Sequence, residues 1–394
     1  MIKVGVIFGG ESVEHEVSII SAIQAMNKLD REKYEIIPIY ITKDRKWYTG
    51  EILKEMETYR DMSLLKRYTK RVVLYEKDGR FVLQSLGFFK REIAEIDLAF
   101  PIVHGTNVED GILQGYLHSI NIPCVGSSVR ASALAQDKVF QKQIWQDAKI
   151  PIVKYDWFYD NEFLEKQDEI IKRLAKLKYP MIVKPSNLGS SVGIEVAQNK
   201  EELILAIERA IEYDEKIIVE ELIENLQEVN IAVLGNNDFV TLSSTEEVMS
   251  DNDILTYQDK YLGSSKKTGI GSKGMLSATR KIPAELSDKM NKELEDIATR
   301  SFKSLGLSSN VRMDFLIDKK TKKIYINEVN AIPGSLAFYL WEAKGKDFSV
   351  LLDDMINLAL RDYKKKKAKL HSFETNILEG YSGLKGSKGT KGKL

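Results

Sequence analysis

The sequence carries a single cysteine, Cys124, in 394 residues. That excludes an internal disulfide and a cysteine-based metal knuckle, and a reducing compartment is expected. Neither sign of charge is in excess, because 58 Lys and Arg balance 58 Asp and Glu. Neutralising a nucleic-acid backbone needs surplus basic charge, so no nucleic-acid partner is expected. No apolar run approaches the ~20 residues that span a bilayer. The apolar start Met1–Gly9 is too short for a signal peptide and lacks a cleavage site. A cytoplasmic protein with no membrane partner is therefore expected. Internal repeats are absent as well. What remains is ordinary for a globular core, at 43% hydrophobic and 29% charged. The length points to two or three domains.

Two charged strand-like stretches lie near the C-terminus. Asn310–Asp318 and Lys323–Asn330 each read as a strand, with the polar turn Lys319–Lys322 between them. Alternation puts Arg312 and Asp314 on one face of the first, and Glu328 and Asn330 on one face of the second. A pairing that sets Asp318 opposite Ile324 would bring Asp314 against Glu328 and Arg312 against Asn330. Carboxylates that close repel unless a cation joins them. An oxygen-rich cluster of this kind suits a hard ion such as Mg²⁺ holding nucleotide phosphates. For these residues alone, a solvated sheet face with a surface salt bridge is the competing account.

Ile2–Phe8 is almost continuously apolar, as in a parallel strand covered on both faces. Gly9–Ser12 turns the chain into a helix over Glu14–Lys28, with Val17, Ile20, Ile23 and Met26 near helical spacing. Strands at Tyr34–Ile41 and Asp97–Val103 and a helix at Asp110–Ile120 continue the alternation, giving an α/β domain over residues 1–127. A second unit over 128–214 holds helix Gln136–Ala148, strand Lys154–Phe158, helix Asn161–Leu177, strands Met181–Lys184 and Gly193–Ala197, and helix Lys200–Tyr213. A third, over 215–372, holds strands Lys216–Glu221, Val229–Leu234 and Phe239–Ser243, helix Pro283–Leu305 and the charged strand pair. Its long polar loop 248–275 reads as a lid. The basic tail 373–394 is too poor in apolar residues to order itself.

Lys184–Gly193 (Lys-Pro-Ser-Asn-Leu-Gly-Ser-Ser-Val-Gly) joins two of these strands. Its backbone N–H groups and hydroxyls can cradle phosphate, and Lys184 adds a point charge. It is not a P-loop, since no Gly-Lys-Ser/Thr follows and no helix begins there. Ile217–Leu222 is an apolar strand ending in acids, with Glu228 shortly after, a place where adenine and ribose can be held. Gly9-Gly10 lacks the third glycine of a dinucleotide fingerprint, which argues against a nicotinamide enzyme.

Lys138, Lys184–Ser191, Ile218–Glu221, Val311–Asp314 and Asn327–Gly334 together resemble the ATP-grasp superfamily. Gly9–Ser18, His104–Gly111, Gly126–Ser132 with Gln136–Lys138, and Lys260–Leu262 are similar to the D-alanine–D-alanine ligase family. The likeness covers about residues 1–372, in that family's order and spacing. It implies an α/β ATP-grasp fold, with a parallel-sheet N-terminal domain and two α+β lobes clasping ATP. It also implies a homodimer, two Mg²⁺ ions (Mn²⁺ also serving), and a reaction in which D-alanine is phosphorylated on its carboxylate and then joined to a second D-alanine for peptidoglycan synthesis.

The resemblance further implies residue roles. Lys138, Lys184 and the lid residue Lys260 match phosphate-binding lysines, and Ser190 and Ser191 match the loop that closes over the phosphates. Glu220, with the backbone of Glu221 and Leu222, matches the adenine contacts, and Glu228 the ribose contact. Asp314, Glu328 and Asn330 match the metal ligands. Glu14, Ser190 and Tyr261 match a hydrogen-bonded triad, with Glu14 on the first substrate's ammonium and His104 beside it. Arg312 matches the guanidinium over the tetrahedral oxyanion, and Gly334, Ser335, Tyr339 and Leu340 the second-substrate pocket. Three positions depart from the family. Val108 stands where glycine is usual, the lid reads Leu255–Tyr261, and Tyr339 takes the place of a serine that binds the second carboxylate. D-Serine or D-lactate as second substrate, or a nucleotide-binding regulator without turnover, are the alternative readings. Tyr261 argues for an amine nucleophile.

Overall fold

The computed structural model describes residues 1–189, 192–249 and 279–370. Three sheets carry the chain. The first has seven strands: β1 (Ile2–Gly9), β2 (Tyr34–Ile41), β3 (Trp47–Thr49), β4 (Lys70–Lys77), β5 (Arg80–Ser85), β6 (Glu92–Ile96) and β7 (Leu98–Ile102), in the order β6-β5-β4-β3-β2-β1-β7. Only β2-β1-β7 runs parallel. The pairs β2–β3, β3–β4, β4–β5 and β5–β6 are antiparallel. The expected parallel sheet is thus real at its buried centre, and the hairpins over 47–96 extend one edge.

The second sheet consists of β8 (Tyr155–Tyr159), β9 (Met181–Pro185), β10 (Glu195–Ala197) and β11 (Lys216–Glu221), ordered β10-β9-β11-β8. The third consists of β12 (Leu226–Gly235), β13 (Val240–Met249), β14 (Thr279–Lys281), β15 (Ser309–Asp318) and β16 (Ile324–Asn330), ordered β14-β13-β12-β15-β16. Lys216–Glu221 therefore belongs to the second sheet's ladder rather than opening the third.

The cores cross the sequence divisions. Helix Phe348–Lys367 buries Leu351, Leu352, Met355 and Ile356 in the same cluster as Val4, Val6 and Phe8 of β1. The expected helix 136–148 is present as Lys138–Asp147, and a separate helix, Val129–Gln136, precedes it, the two divided at Asp137, which leaves helical geometry to cap the second. Ala131, Ala135 and Trp145 from that pair pack with the third sheet's Val311, Met313 and Phe315. No helix among the described residues is long and apolar enough to cross a membrane.

Gly9-Gly10 makes the turn from β1 into helix His15–Lys28, both residues at positive φ. A Cβ on Gly10 would collide with Val108, so the valine that departs from the family fills the space this glycine leaves.

Candidate active site

Strands β15 and β16 pair as expected where the charges lie, Arg312 against Asn330 and Asp314 against Glu328. Nearer the turn the expectation fails. Ile317, not Asp318, faces Ile324, because β16 bulges between its pairings with Asp314 and Phe315. The extra residue is Asn327. With it, Asn327 and Glu328 both leave the core, between buried Ile326 and Val329. The ladders also align Glu246, Asn230, Asp314 and Glu328 as one row across β13, β12, β15 and β16.

Arg312 grips Asp314 with two parallel bonds, Nε to Oδ1 and Nη2 to Oδ2, each 2.7 Å. Burial alone would lower the guanidinium's affinity for its proton, but Asp314 reverses the effect and holds it well above its usual range. Asn330 Nδ2 donates to Asp314 Oδ2 at 3.3 Å, and Lys138 Nζ lies 3.5 Å from Glu328 Oε2. Two opposed carboxylates and a neighbouring carboxamide fit a hard divalent ion. Among the described residues no three His, Cys, Asp or Glu side chains make a metal cage. The remaining ligands would be phosphate and water oxygens, which is how Mg²⁺ ordinarily completes its shell.

Lys138 opens its helix, and Asp137 caps it by accepting from the N–H groups of Val139 (2.8 Å) and Phe140 (3.0 Å). The same carboxylate is held by Lys216 Nζ at 2.7 Å and by Ser186 Oγ at 2.8 Å, which ties the helix end to β9 and β11. Lys138 Nζ donates to Leu188 O at 2.6 Å, inside the Gly/Ser loop. Lys184 Nζ donates to Glu220 Oε2 (2.9 Å) and to Asn327 Oδ1 (3.3 Å). Two positively charged groups thus converge on the carboxylate row from helix and strand.

Glu220 has another partner that the sequence reading passed over. Lys142, one helical turn after Lys138, is fully buried with Nζ 3.1 Å from Glu220 Oε1. Burial pushes the Glu220 carboxyl up, but the ammonium groups of Lys142 and Lys184 outweigh it and hold it below the usual range. Burial wins at Lys142, which lies below its ordinary value despite Glu220. Both Glu220 oxygens therefore face lysines, Oε2 in a hydrogen bond with Lys184 and Oε1 in an ion pair with Lys142. The N–H groups of Glu221 and Leu222 are also taken, by Lys154 O (3.0 Å) and Pro180 O (2.9 Å). Of these two backbones, only the carbonyls are left to face a base edge. Glu228 is half-buried on β12, on the same face as Asn230.

On the N-terminal side, Glu14 is buried beneath two close glycines. A Cβ on Gly105 would lie 2.9 Å from its Oε2, and one on Gly189 3.0 Å. Glu14 thus sits where the His104 loop and the Gly/Ser loop meet the start of helix His15–Lys28. His104 uses both ring nitrogens on protein groups, Ile332 O at 2.8 Å and Ser21 Oγ at 3.0 Å. Burial lowers its pKa, and it feels the charges of both Glu14 and Arg312. A neutral ring donating to Ile332 O and accepting from Ser21 Oγ satisfies both bonds. Glu109, absent from the expected set, accepts from Gly105 N (2.9 Å) and Ile332 N (2.8 Å). Burial, reinforced by Glu14, pushes its carboxyl up to about 8.

Ile332 leads into a strained turn. Ser335, Leu336 and Ala337 all have left-handed φ, at 51°, 53° and 46°. Non-glycine residues resist this geometry by about 1–2 kcal/mol each, and it persists only where the surroundings fix it. Here Ser335 N donates to Ser21 Oγ at 2.8 Å and Asn310 Nδ2 to Leu336 O at 2.7 Å. Gly334 begins the turn, and Leu340 is packed wholly in the core, leaving its side chain no access to substrate. Tyr339 gives its hydroxyl proton to buried Glu246 at 3.0 Å, beneath the Arg280 guanidinium. The Ser335 hydroxyl has no such engagement among the described residues. Ser190, Ser191, Lys260 and Tyr261, with most of the lid, lie outside the described residues.

The family model described as D-ala D-ala ligase N-terminus matches residues 3–127, and that described as D-ala D-ala ligase C-terminus matches 144–357. The chain is 38% identical over 380 residues to the D-alanine–D-alanine ligase of Thermosipho melanesiensis, covering 96% of this chain and 99% of that one. It is 40% identical over 384 residues to that of Thermosipho africanus, covering 96% and 99%. Among solved structures, the Coxiella burnetii D-alanine-D-alanine ligase superposes with a TM-score of 0.76 at 28% identity, covering 93% of this chain and 97% of that one. The VanG D-Ala:D-Ser ligase of Enterococcus faecalis does so with 0.76 at 32%, covering 91% and 99%. With its ATP-grasp architecture and a carboxylate row faced by lysines, the chain belongs to the D-alanine–D-alanine ligase family.

Proposed function

We propose that the chain joins two D-alanines, using ATP, with the β15–β16 row as its phosphoryl-transfer floor and Ser335 holding the second substrate's carboxylate. The observation that carries this reading is the convergence of Lys138 and Lys184 on Glu328 and Asn327 beside the Arg312–Asp314 fork. The carboxylate of the first D-alanine attacks the γ-phosphorus, releasing ADP and leaving an acyl phosphate. The amine of the second D-alanine then adds to that carbonyl, and the tetrahedral adduct expels phosphate to leave the new C–N bond.

Each step has residues suited to it. Charge builds on the transferring oxygens, and Lys138 and Lys184 are fixed cations already oriented by protein partners. Asp314, Glu328 and Asn330 would hold Mg²⁺, which when bound neutralises phosphate charge and polarises the transferring group. Glu14 provides the buried negative charge for the first ammonium. Arg312, locked in place by Asp314, keeps its remaining Nη1 donors for the oxyanion. Lys260, Ser190, Ser191 and Tyr261 would complete the enclosure that keeps water from the acyl phosphate. Adenine would meet the Glu221 carbonyl, and its ribose Glu228. A cytoplasmic homodimer without a nucleic-acid partner belongs to the same proposal.

The second pocket is where the reading is tested. Ser335→Ala is expected to raise KM for the second D-alanine about 10- to 150-fold, the loss of one charge-assisted donor at about 1.5–3 kcal/mol. KM for ATP should barely move. Tyr339→Phe should instead lower stability, because it strips a donor from buried Glu246. Steady-state kinetics and denaturant titration of the two variants check this. A second-substrate defect confined to Tyr339→Phe would assign the pocket to the phenol instead.

A further inference from the structure

The ligation chemistry leaves one edge of the seven-stranded sheet unused. The turn between β5 and β6 carries Leu86, Phe88 and Phe89 at 52%, 97% and 72% exposure. The two phenyl rings meet edge to face, their centroids 5.2 Å apart. Lys90 and Arg91 lie in the same turn, Lys70 and Arg71 open β4, and Lys66 and Arg67 sit on the short helix Met62–Tyr68 that leads into β4. The ladder gathers them, since Leu86 N donates to Arg71 O at 3.1 Å and Ser85 N to Arg91 O at 2.9 Å. All six cations are exposed. Among the described residues none of the six is ion-paired with a carboxylate. Glu92, which follows Arg91 at the start of β6, is taken by Lys77 and Arg80 instead, and Arg80 also meets Glu95.

In a chain of zero net charge, six unmatched cations around an apolar tip are a local asymmetry rather than a general surface. We propose that this edge docks on an anionic lipid surface, with Phe88 and Phe89 entering the headgroup region and the six cations meeting lipid phosphates. The tip projects rather than encloses, so it suits a fluid surface that needs no preformed pocket. A second copy of the chain suits it poorly, because a two-fold contact would set these cations against themselves. This is surface attachment, separate from spanning.

The test is vesicle co-sedimentation of the full-length chain at about 0.1 M salt, where the Debye length is about 10 Å. Wild type is expected to pellet with phosphatidylglycerol vesicles and not with phosphatidylcholine, and to be released near 1 M salt, where screening falls to about 3 Å. The double variants Phe88→Ser/Phe89→Ser and Lys90→Glu/Arg91→Glu should each lose at least about tenfold in partitioning. Their ligation rate in solution should equal wild type, which reports an intact fold. Wild type remaining in the supernatant with phosphatidylglycerol overturns the proposal. So does full binding by both double variants, which would place the attraction elsewhere, such as on the basic tail. A change in light-scattering mass without vesicle binding would overturn it in favour of a second copy.

Discussion

Glu328→Gln is expected to yield a folded protein that ligates roughly a thousandfold more slowly or worse, the several kcal/mol that a catalytic metal supplies. Glu328 is half-buried and faces Asp314 across the ladder, but Arg312 and Asn330 hold Asp314 without its help. Removing its charge therefore costs the fold little while removing one of two carboxylates from the row. Asp314→Asn makes the contrast. It would take the partner from a buried guanidinium, and destabilisation of about 3–5 kcal/mol should accompany the lost rate. Product formation and denaturant midpoints for the two variants distinguish metal binding from ion-pair support. A Glu328→Gln protein at near wild-type rate would remove the row from the chemistry.

The second large effect is expected at Glu220. Its carboxylate balances two buried ammonium groups, Lys142 and Lys184. Glu220→Gln leaves both lysines side by side without a counter-charge, and stability should fall by about 3–5 kcal/mol. Lys142→Met should be milder, because the Glu220–Lys184 pair survives and an apolar side chain fills the fully buried site. Glu220 then pulls on Lys184 alone, and KM for ATP should rise. Combining the two substitutions should recover much of the stability lost in Glu220→Gln, since the surplus cation is gone. Urea titration reads each term, and a Glu220→Gln midpoint equal to wild type would mean that Lys142 is already neutral.

How much of this was legible in the sequence depends on whether the signal was local. The cross-strand meeting of Asp314 and Glu328 followed from alternation and a short turn. The bulge at Asn327 left a readable trace, because buried Ile324, Ile326 and Val329 are spaced two and then three residues apart. The β4–β5 hairpin had the strongest turn signal of all, Asp78-Gly79, between Val72/Leu74 and Val82. Helix Phe348–Lys367 showed Leu351, Leu352, Met355 and Ile356 behind an Asp347 cap. Both elements therefore had a local signal in the sequence. Lys142 stood four residues after Lys138, yet nothing local says that a lysine there is buried against Glu220, 78 residues on. Glu246 and Glu109 were invisible in the same sense. Their roles come from β12–β13 pairing and from a carboxylate reaching Ile332, contacts made only once the sheets are assembled.

The departures from the family resolve by geometry in the same way. Val108 occupies the space over Gly10, and Tyr339 turns to Glu246. Neither Val108 nor Tyr339 is hydrogen-bonded or ion-paired with Lys138, Lys184, Asp314 or Glu328 in the contacts described above, so the residues proposed for the first half-reaction are kept. On the proposed reading the second pocket is centred on Ser335.

The most direct measurement is ATP-dependent phosphate release by the full chain with D-alanine, D-serine, D-lactate and L-alanine offered separately, with mass analysis of the products. D-Alanine alone should give one phosphate per D-alanyl-D-alanine formed, L-alanine should give none, and D-lactate should yield no ester when mixed with D-alanine. Phosphate release that fails with D-alanine alone, or that requires D-serine or D-lactate as the second partner, would contradict the account.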